Sequence, residues 1–93
     1  MAQLLGDAEI EAQASKLSGW TRQGFKLETT RKFKDFVEAI AFVNKLVEPA
    51  ESAGHHPDIE VSYNKVKITL TTHDAGGLTQ KDFDLATEIS QIN

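Results

Sequence analysis

The chain has no cysteine, two prolines, one tryptophan, one tyrosine, and no apolar run near the ~18 residues that a membrane-spanning helix needs. Without cysteine there can be no disulfide, thiolate metal ligand, iron–sulfur cluster or cysteine nucleophile. Positive charge is not in excess either. Ten Lys and Arg face fourteen Asp and Glu, and the formal net charge of −4 opposes non-specific attraction to nucleic acid or anionic membrane. The stretch MAQLLGDAEIEAQ has no basic segment leading into an apolar one, so no secretory leader is expected and cytoplasmic residence is the expectation. What is present, 93 residues with 40% hydrophobic and 26% charged, suits a single small globular domain spanning 1–93. So small a core makes self-association a reasonable expectation.

Hydrophobic spacing predicts the elements. Ile10, Ala14 and Leu17 share a helical face, predicting a helix over 8–17 with Asp7 as cap and Gly19 as terminator. Phe25, Leu27, Thr29 and Phe33 recur at every second position around Gly24, predicting antiparallel strands over 19–23 and 26–33. Phe36, Ile40, Val43 and Val47 predict one long central helix, opened by a capping pair of Asp35 and Glu38. Pro49 opposes its continuation toward Ala53, and Gly54 can close it. Ile59, Val61 and Tyr63, then Val66, Ile68, Leu70 and Thr72, predict a second strand pair turning at Asn64-Lys65. Thr79 with Asp82 and the pair Leu78 and Phe83 carry capping-box and staple signals for a last helix, continued by Leu85, Ile89 and Ile92. The predicted order is αββαββα: an α+β fold with a four-stranded, mostly antiparallel sheet. Helices would pack on one face and the other would be left to solvent or a partner subunit.

All three histidines fall at element ends, His55 and His56 before the third strand and His73 after the fourth. A hairpin of those strands would bring the three imidazoles to one edge. Histidine, with an unperturbed pKa of about 6.5, can both give and take protons near neutrality, so the cluster suits metal-free acid/base chemistry. A metal site finds little support, because adjacent histidines do not easily share one ion and no His-x-x-x-His helix is present. Glu51, four residues before His55, either orients an imidazole or is a solvated charge at the helix end. Asp82 reads as a structural cap. Trp20 and Tyr63 read as buried strand aromatics that could also stack on a flat heterocycle. Arg31, Lys32 and Lys34 read as a solvated strand end. Gly76-Gly77 lacks the spacing of a phosphate loop.

Taken together, Glu51, His55-His56-Pro57, Tyr63, His73 and Asp82 stand at offsets that resemble the signature of the pterin-4a-carbinolamine dehydratase family. Flanking Gly19-Trp20, Lys34-Asp35-Phe36, Tyr63-Asn64-Lys65-Val66 and Thr72-His73-Asp74 agree, and the likeness covers nearly the whole chain. The resemblance implies a hydro-lyase that dehydrates 4a-hydroxytetrahydrobiopterin to quinonoid dihydropterin, in the recycling of tetrahydrobiopterin spent by aromatic amino-acid hydroxylases. It implies no metal and no organic cofactor. His55 and His73 would be the acid/base pair on opposite sides of the ring, and His56 would bind and polarise substrate. Pro57, Thr72, Asp74 and Ala75 would line the pterin site, Glu51 would support it, and Trp20 would form a wall. Family members assemble as dimers or tetramers. A non-catalytic interaction module, or an enzyme for another pterin such as one in molybdenum-cofactor metabolism, are the alternatives.

Overall fold

The computed structural model describes residues 3–93. Met1 and Ala2, part of the stretch read for a secretory leader, lie outside the described residues. The elements are α1 (Asp7–Ala14), β1 (Thr21–Gln23), β2 (Lys26–Lys32), α2 (Phe36–Lys45), α3 (Val47–Ala53), β3 (Asp58–Ser62), β4 (Lys65–Leu70), a short 3₁₀ turn (His73–Ala75) and α4 (Gln80–Ser90). The strands form one antiparallel sheet in the order β1-β2-β4-β3. Leu27, Val66, Ile68 and Leu70 point from it into a core shared with Ile10, Phe42, Leu46, Phe83, Leu85, Ala86 and Ile89 of the helical layer. The α+β class and the one-sided helix packing are as the spacing predicts.

The boundaries differ for local physical reasons. Helix α1 stops at Ala14 rather than Leu17, because the amides of Lys16 and Leu17 turn back to Gln13 and Ala14, three residues earlier. Its N-cap is Gly6, not Asp7; the Asp7 carboxylate pairs instead with Arg22 at 2.9 Å, and Glu11 pairs with the same guanidinium at 3.1 Å. Hydrogen bonds to Asp7 and then Glu11 raise the Arg22 pKa further above its ordinary value. Strand β1 begins at Thr21 rather than 19, since Gly19 has a left-handed φ of 85° and its carbonyl accepts from the Thr29 hydroxyl at 2.7 Å.

The central helix is two helices, so the order is αββααββα. Leu46 separates α2 from α3, and the Leu46 amide bonds to Val43 rather than continuing the α pattern. Pro49 explains the division. Its ring opposes the carbonyl four residues earlier, that of Lys45, where α2 ends, and in the first turn of α3 its missing amide hydrogen leaves no bond unmade. The helix that Pro49 was expected to oppose therefore resumes and runs to Ala53.

Gly54 closes α3 at φ 62°, ψ 30°, with its own amide on Glu51 and the next, that of His55, on Ala50. An ideal Cβ there meets nothing within 4 Å, so the cost of a side chain is conformational rather than steric. Gly54→Ala is expected to lower the free energy of unfolding by about 1 kcal/mol, seen as a lower urea midpoint at unchanged slope.

The second hairpin turns one residue earlier than predicted. Ser62 pairs with Lys65, which leaves Tyr63-Asn64 as the turn, with Tyr63 at φ 54° and 65% exposed. Tyr63 is thus neither a strand residue nor buried. β3 is an edge strand whose residues are all exposed, including Ile59 at 36% and Val61 at 38%. The basic cluster also divides: Arg31 is not solvated like its neighbours. Its guanidinium donates to the carbonyls of Ile92 at 2.6 Å and Ile89 at 3.0 Å, closing the C-terminal end of α4 with a cation. The same group lies 4.6 Å over the Phe42 ring.

A candidate active site of three histidines

The hairpin and the first turn of α4 make a cleft of about 260 Å³ at one end of the sheet. Gly54, His55 and His56 line it from the connector before β3, Thr71 and Thr72 from the exit of β4, His73 and Asp74 from the 3₁₀ turn, and Lys81 from α4. The three imidazoles converge as the placement of the strands predicts. A larger groove of about 520 Å³ lies elsewhere, between α3 and the end of α4; its ionisable groups are Lys45, Glu48 and Glu88, with no group suited to neutral acid/base work. On chemical grounds the histidine cleft is the candidate site.

Local structure fixes each group. The left-handed Gly54 ends α3 and turns the chain so that His55 goes inward, where it is 9% exposed. The Thr72 amide bonds to Gly77 at 3.0 Å, and the left-handed Gly76, at φ 78°, lets the chain fold back between them. His73 is thereby carried on a tight exposed turn at the cleft mouth.

Behind His55 stands Asp82, 0% exposed, with its Oδ1 2.6 Å from His55 Nε2. Its other oxygen, Oδ2, accepts from the Thr72 hydroxyl at 2.7 Å and from the Thr79 amide at 3.0 Å. The Thr79 hydroxyl lies 2.8 Å from that of Thr72. A carboxylate removed from water this completely is tolerable only because each oxygen has donors. Asp82 does cap α4, as expected, and the same carboxylate anchors an imidazole. Its offset from His73 in the motif was the available signal for this second role. Lys81, beside it in the cleft wall, and Thr71 were not anticipated.

Glu51 does not share a face with His55, because the α-helical register ends at Gly54. Its carboxylate meets His56 Nε2 at 2.5 Å, and both side chains are exposed, His56 at 63%. Glu51 and Pro57 line a neighbouring apolar cavity of about 200 Å³ with Val43, Leu46, Ala50 and Ile59, and His56 belongs to both cavities. Ala75 sits in the 3₁₀ turn beside Asp74 without lining the cleft. Trp20 lies away from it: buried in the core, it donates its indole hydrogen to Ser90 Oγ at 2.8 Å, at the opposite end of α4 from Lys81. Nothing in this chain's own cleft gives Trp20 a wall to form.

The chain has known counterparts in both sequence and fold. Residues 3–92 match the family model described as pterin 4 alpha carbinolamine dehydratase. A protein of Trichormus variabilis named as a candidate pterin-4-alpha-carbinolamine dehydratase is 87% identical over 93 residues, covering all of both chains. One of the same name from Nostoc sp. is 85% identical over the same full lengths. The crystal structure of a transcriptional coactivator/pterin dehydratase from Brucella melitensis superposes with a TM-score of 0.87 at 32% identity, covering 92% of this chain and 94% of that one. A pterin dehydratase-like protein identified as a RuBisCO assembly factor in the alpha-carboxysome gives 0.63 at 26% identity, over 76% and 84%. By sequence along its length and by fold, the chain belongs to the pterin-4a-carbinolamine dehydratase family.

Proposed function

We propose that the protein dehydrates a 4a-hydroxytetrahydropterin, such as 4a-hydroxytetrahydrobiopterin, to quinonoid dihydropterin and water. The observation that carries the reading is the convergence of His55, His56 and His73 on one cleft, with His55 anchored to buried Asp82. The reaction breaks the C4a–O bond and removes the proton on N5, leaving a C4a=N5 double bond. One group must protonate the departing hydroxyl and another must accept the N5 proton, and imidazoles suit both tasks at neutral pH. His55 and His73 form the acid/base pair. His56, tied to Glu51 at the rim, holds substrate, while Thr72 and Asp74 offer polar contacts to its edge. No metal or organic cofactor enters this scheme.

The setting that suits this chemistry is cytoplasmic recycling of tetrahydrobiopterin downstream of an aromatic amino-acid hydroxylase. Apolar Ile59 and Val61, exposed on the edge strand β3, fit a homo-dimer or homo-tetramer, whose mass light scattering would read. The direct test follows the ultraviolet decay of freshly generated 4a-hydroxytetrahydropterin with and without purified protein. Acceleration is expected, and folded protein that leaves the spontaneous rate unchanged would sink the proposal. A purely binding role, of the kind named for the RuBisCO assembly factor, predicts that second result.

A further inference from the structure

We infer that Leu4 and Phe25, both outside the cleft, are positioning residues that clamp the turn carrying His73. The inference rests on the dehydratase reading above, in which His73 reacts with substrate. The turn is poorly equipped to hold itself. The amides of Ala75, Gly76 and Gly77 all reach the Thr72 carbonyl, at 3.1, 3.0 and 3.3 Å, and that oxygen has only two lone pairs to share among them. Gly76 and Gly77 in succession also bring the largest backbone freedom of any residue type.

An external hold meets the turn at Gly77. Unlike Gly76, this residue has no left-handed φ, so its conformation does not call for glycine. Space does. A Cβ there would stand 3.0 Å from Leu4 Cδ2 and 3.4 Å from Phe25 Cδ1, so both side chains lie directly against the backbone of the turn. Single apolar side chains at a surface are ordinary, and Leu4 is 53% and Phe25 70% exposed; these two are set apart by their shared contact and by how each is fixed. The Phe25 carbonyl accepts from the Thr71 hydroxyl at 2.7 Å. The carbonyl of Gly24, beside it, accepts from Arg22 Nε at 3.0 Å, the same guanidinium that binds Asp7 and Glu11. Leu4 pairs as an antiparallel bridge with Thr79, and the Leu5 amide donates to the Leu78 carbonyl at 3.0 Å. The turn is thus gripped at Gly77, while His73 and Asp74 line the cleft.

Amide order parameters of 15N-labelled protein test the clamp without substrate. In the wild type, His73–Gly77 should be as rigid as strand backbone, about 0.85, and in Phe25→Ala and Leu4→Ala they should fall toward about 0.6 while β4 keeps its values. Unchanged order in both variants, or a turn already loose in the wild type, overturns the clamp. In the dehydration assay Phe25→Ala should lower kcat about 10-fold with little change in KM, since small misplacements of a reacting group are costly. Phe25→Tyr, which keeps the ring, should restore it. The urea midpoint of Phe25→Ala should stay close to that of the wild type, because the side chain is largely exposed. A merely structural Phe25 would move the midpoint and leave kcat alone, and that result overturns the inference. Gly77→Ala provides a second arm: its methyl must displace Leu4, so it should harm kcat less in the Leu4→Ala background than in the wild type. Additive effects would overturn the contact. A turn that loosens as expected, in a protein whose wild type does not accelerate dehydration, would keep the clamp and overturn the reaction.

Discussion

Protein carrying His55→Ala together with His73→Ala is expected to leave the carbinolamine at its spontaneous rate of decay while keeping its fold. Each positioned acid or base contributes a rate factor of roughly 10² to 10⁴, and in the proposed reaction the two act on opposite ends of one elimination, so losing both would remove the concerted path altogether. His73 lies exposed on a short turn, and its truncation costs little stability. His55 differs: its loss leaves Asp82 Oδ1 buried without its partner, a cost of about 1–3 kcal/mol. Circular dichroism and a urea titration should accordingly show a folded but softened protein. Wild-type rates in the double variant would remove the histidines from the mechanism.

The largest effect on stability is expected at Phe42. It is among the biggest fully buried side chains, its ring lies 5.0 Å from that of Phe33 at a tilt of 35°, and Arg31 covers it with a guanidinium at 4.6 Å. Phe42→Ala should cost about 3–5 kcal/mol, from the lost transfer energy and the cavity left between α2 and β4. For a domain of this size that is a fall in Tm of at least about 12 °C. The cation also loses the face it rests on, and with it some of its hold on the carbonyls of Ile89 and Ile92. Phe42→Leu, which keeps most of the volume, should recover more than half of the loss; equal losses in both variants would show that packing volume is not what Phe42 supplies.

The fold was legible where apolar period and punctuation agreed. Leu78, Thr79, Asp82 and Phe83 spell out the start of α4, and the alternation of Val66, Ile68 and Leu70, each fully buried, marks strand β4. It was less legible where one residue type could serve two states. Pro49 opposes a helix interior but suits a first turn, so only the break at Leu46 reveals which rule governs. Ile59 and Val61 alternate like core residues, yet an edge position leaves both in contact with water. In the site, convergence of the histidines followed from strand pairing alone. The exchange of partners, Asp82 for His55 and Glu51 for His56, did not. It depends on the left-handed Gly54, which rotates His55 out of helical register, and local spacing does not encode that rotation. Nor does local spacing say which end of α4 the Trp20 indole meets.

Because one carboxylate oxygen holds the Thr79 amide while the other holds His55, the two cannot be released independently at low cost. When the first turn of α4 frays, Asp82 leaves with it and the imidazole loses its anchor. Amide hydrogen exchange at Thr79 therefore reports the equilibrium population of molecules whose His55 has come adrift. On the proposed dehydratase function, the opening free energy read there sets a ceiling on the fraction of molecules ready to turn over. Substitutions far along α4 that loosen its first turn would lower activity through that fraction alone, with no atom of the cleft altered.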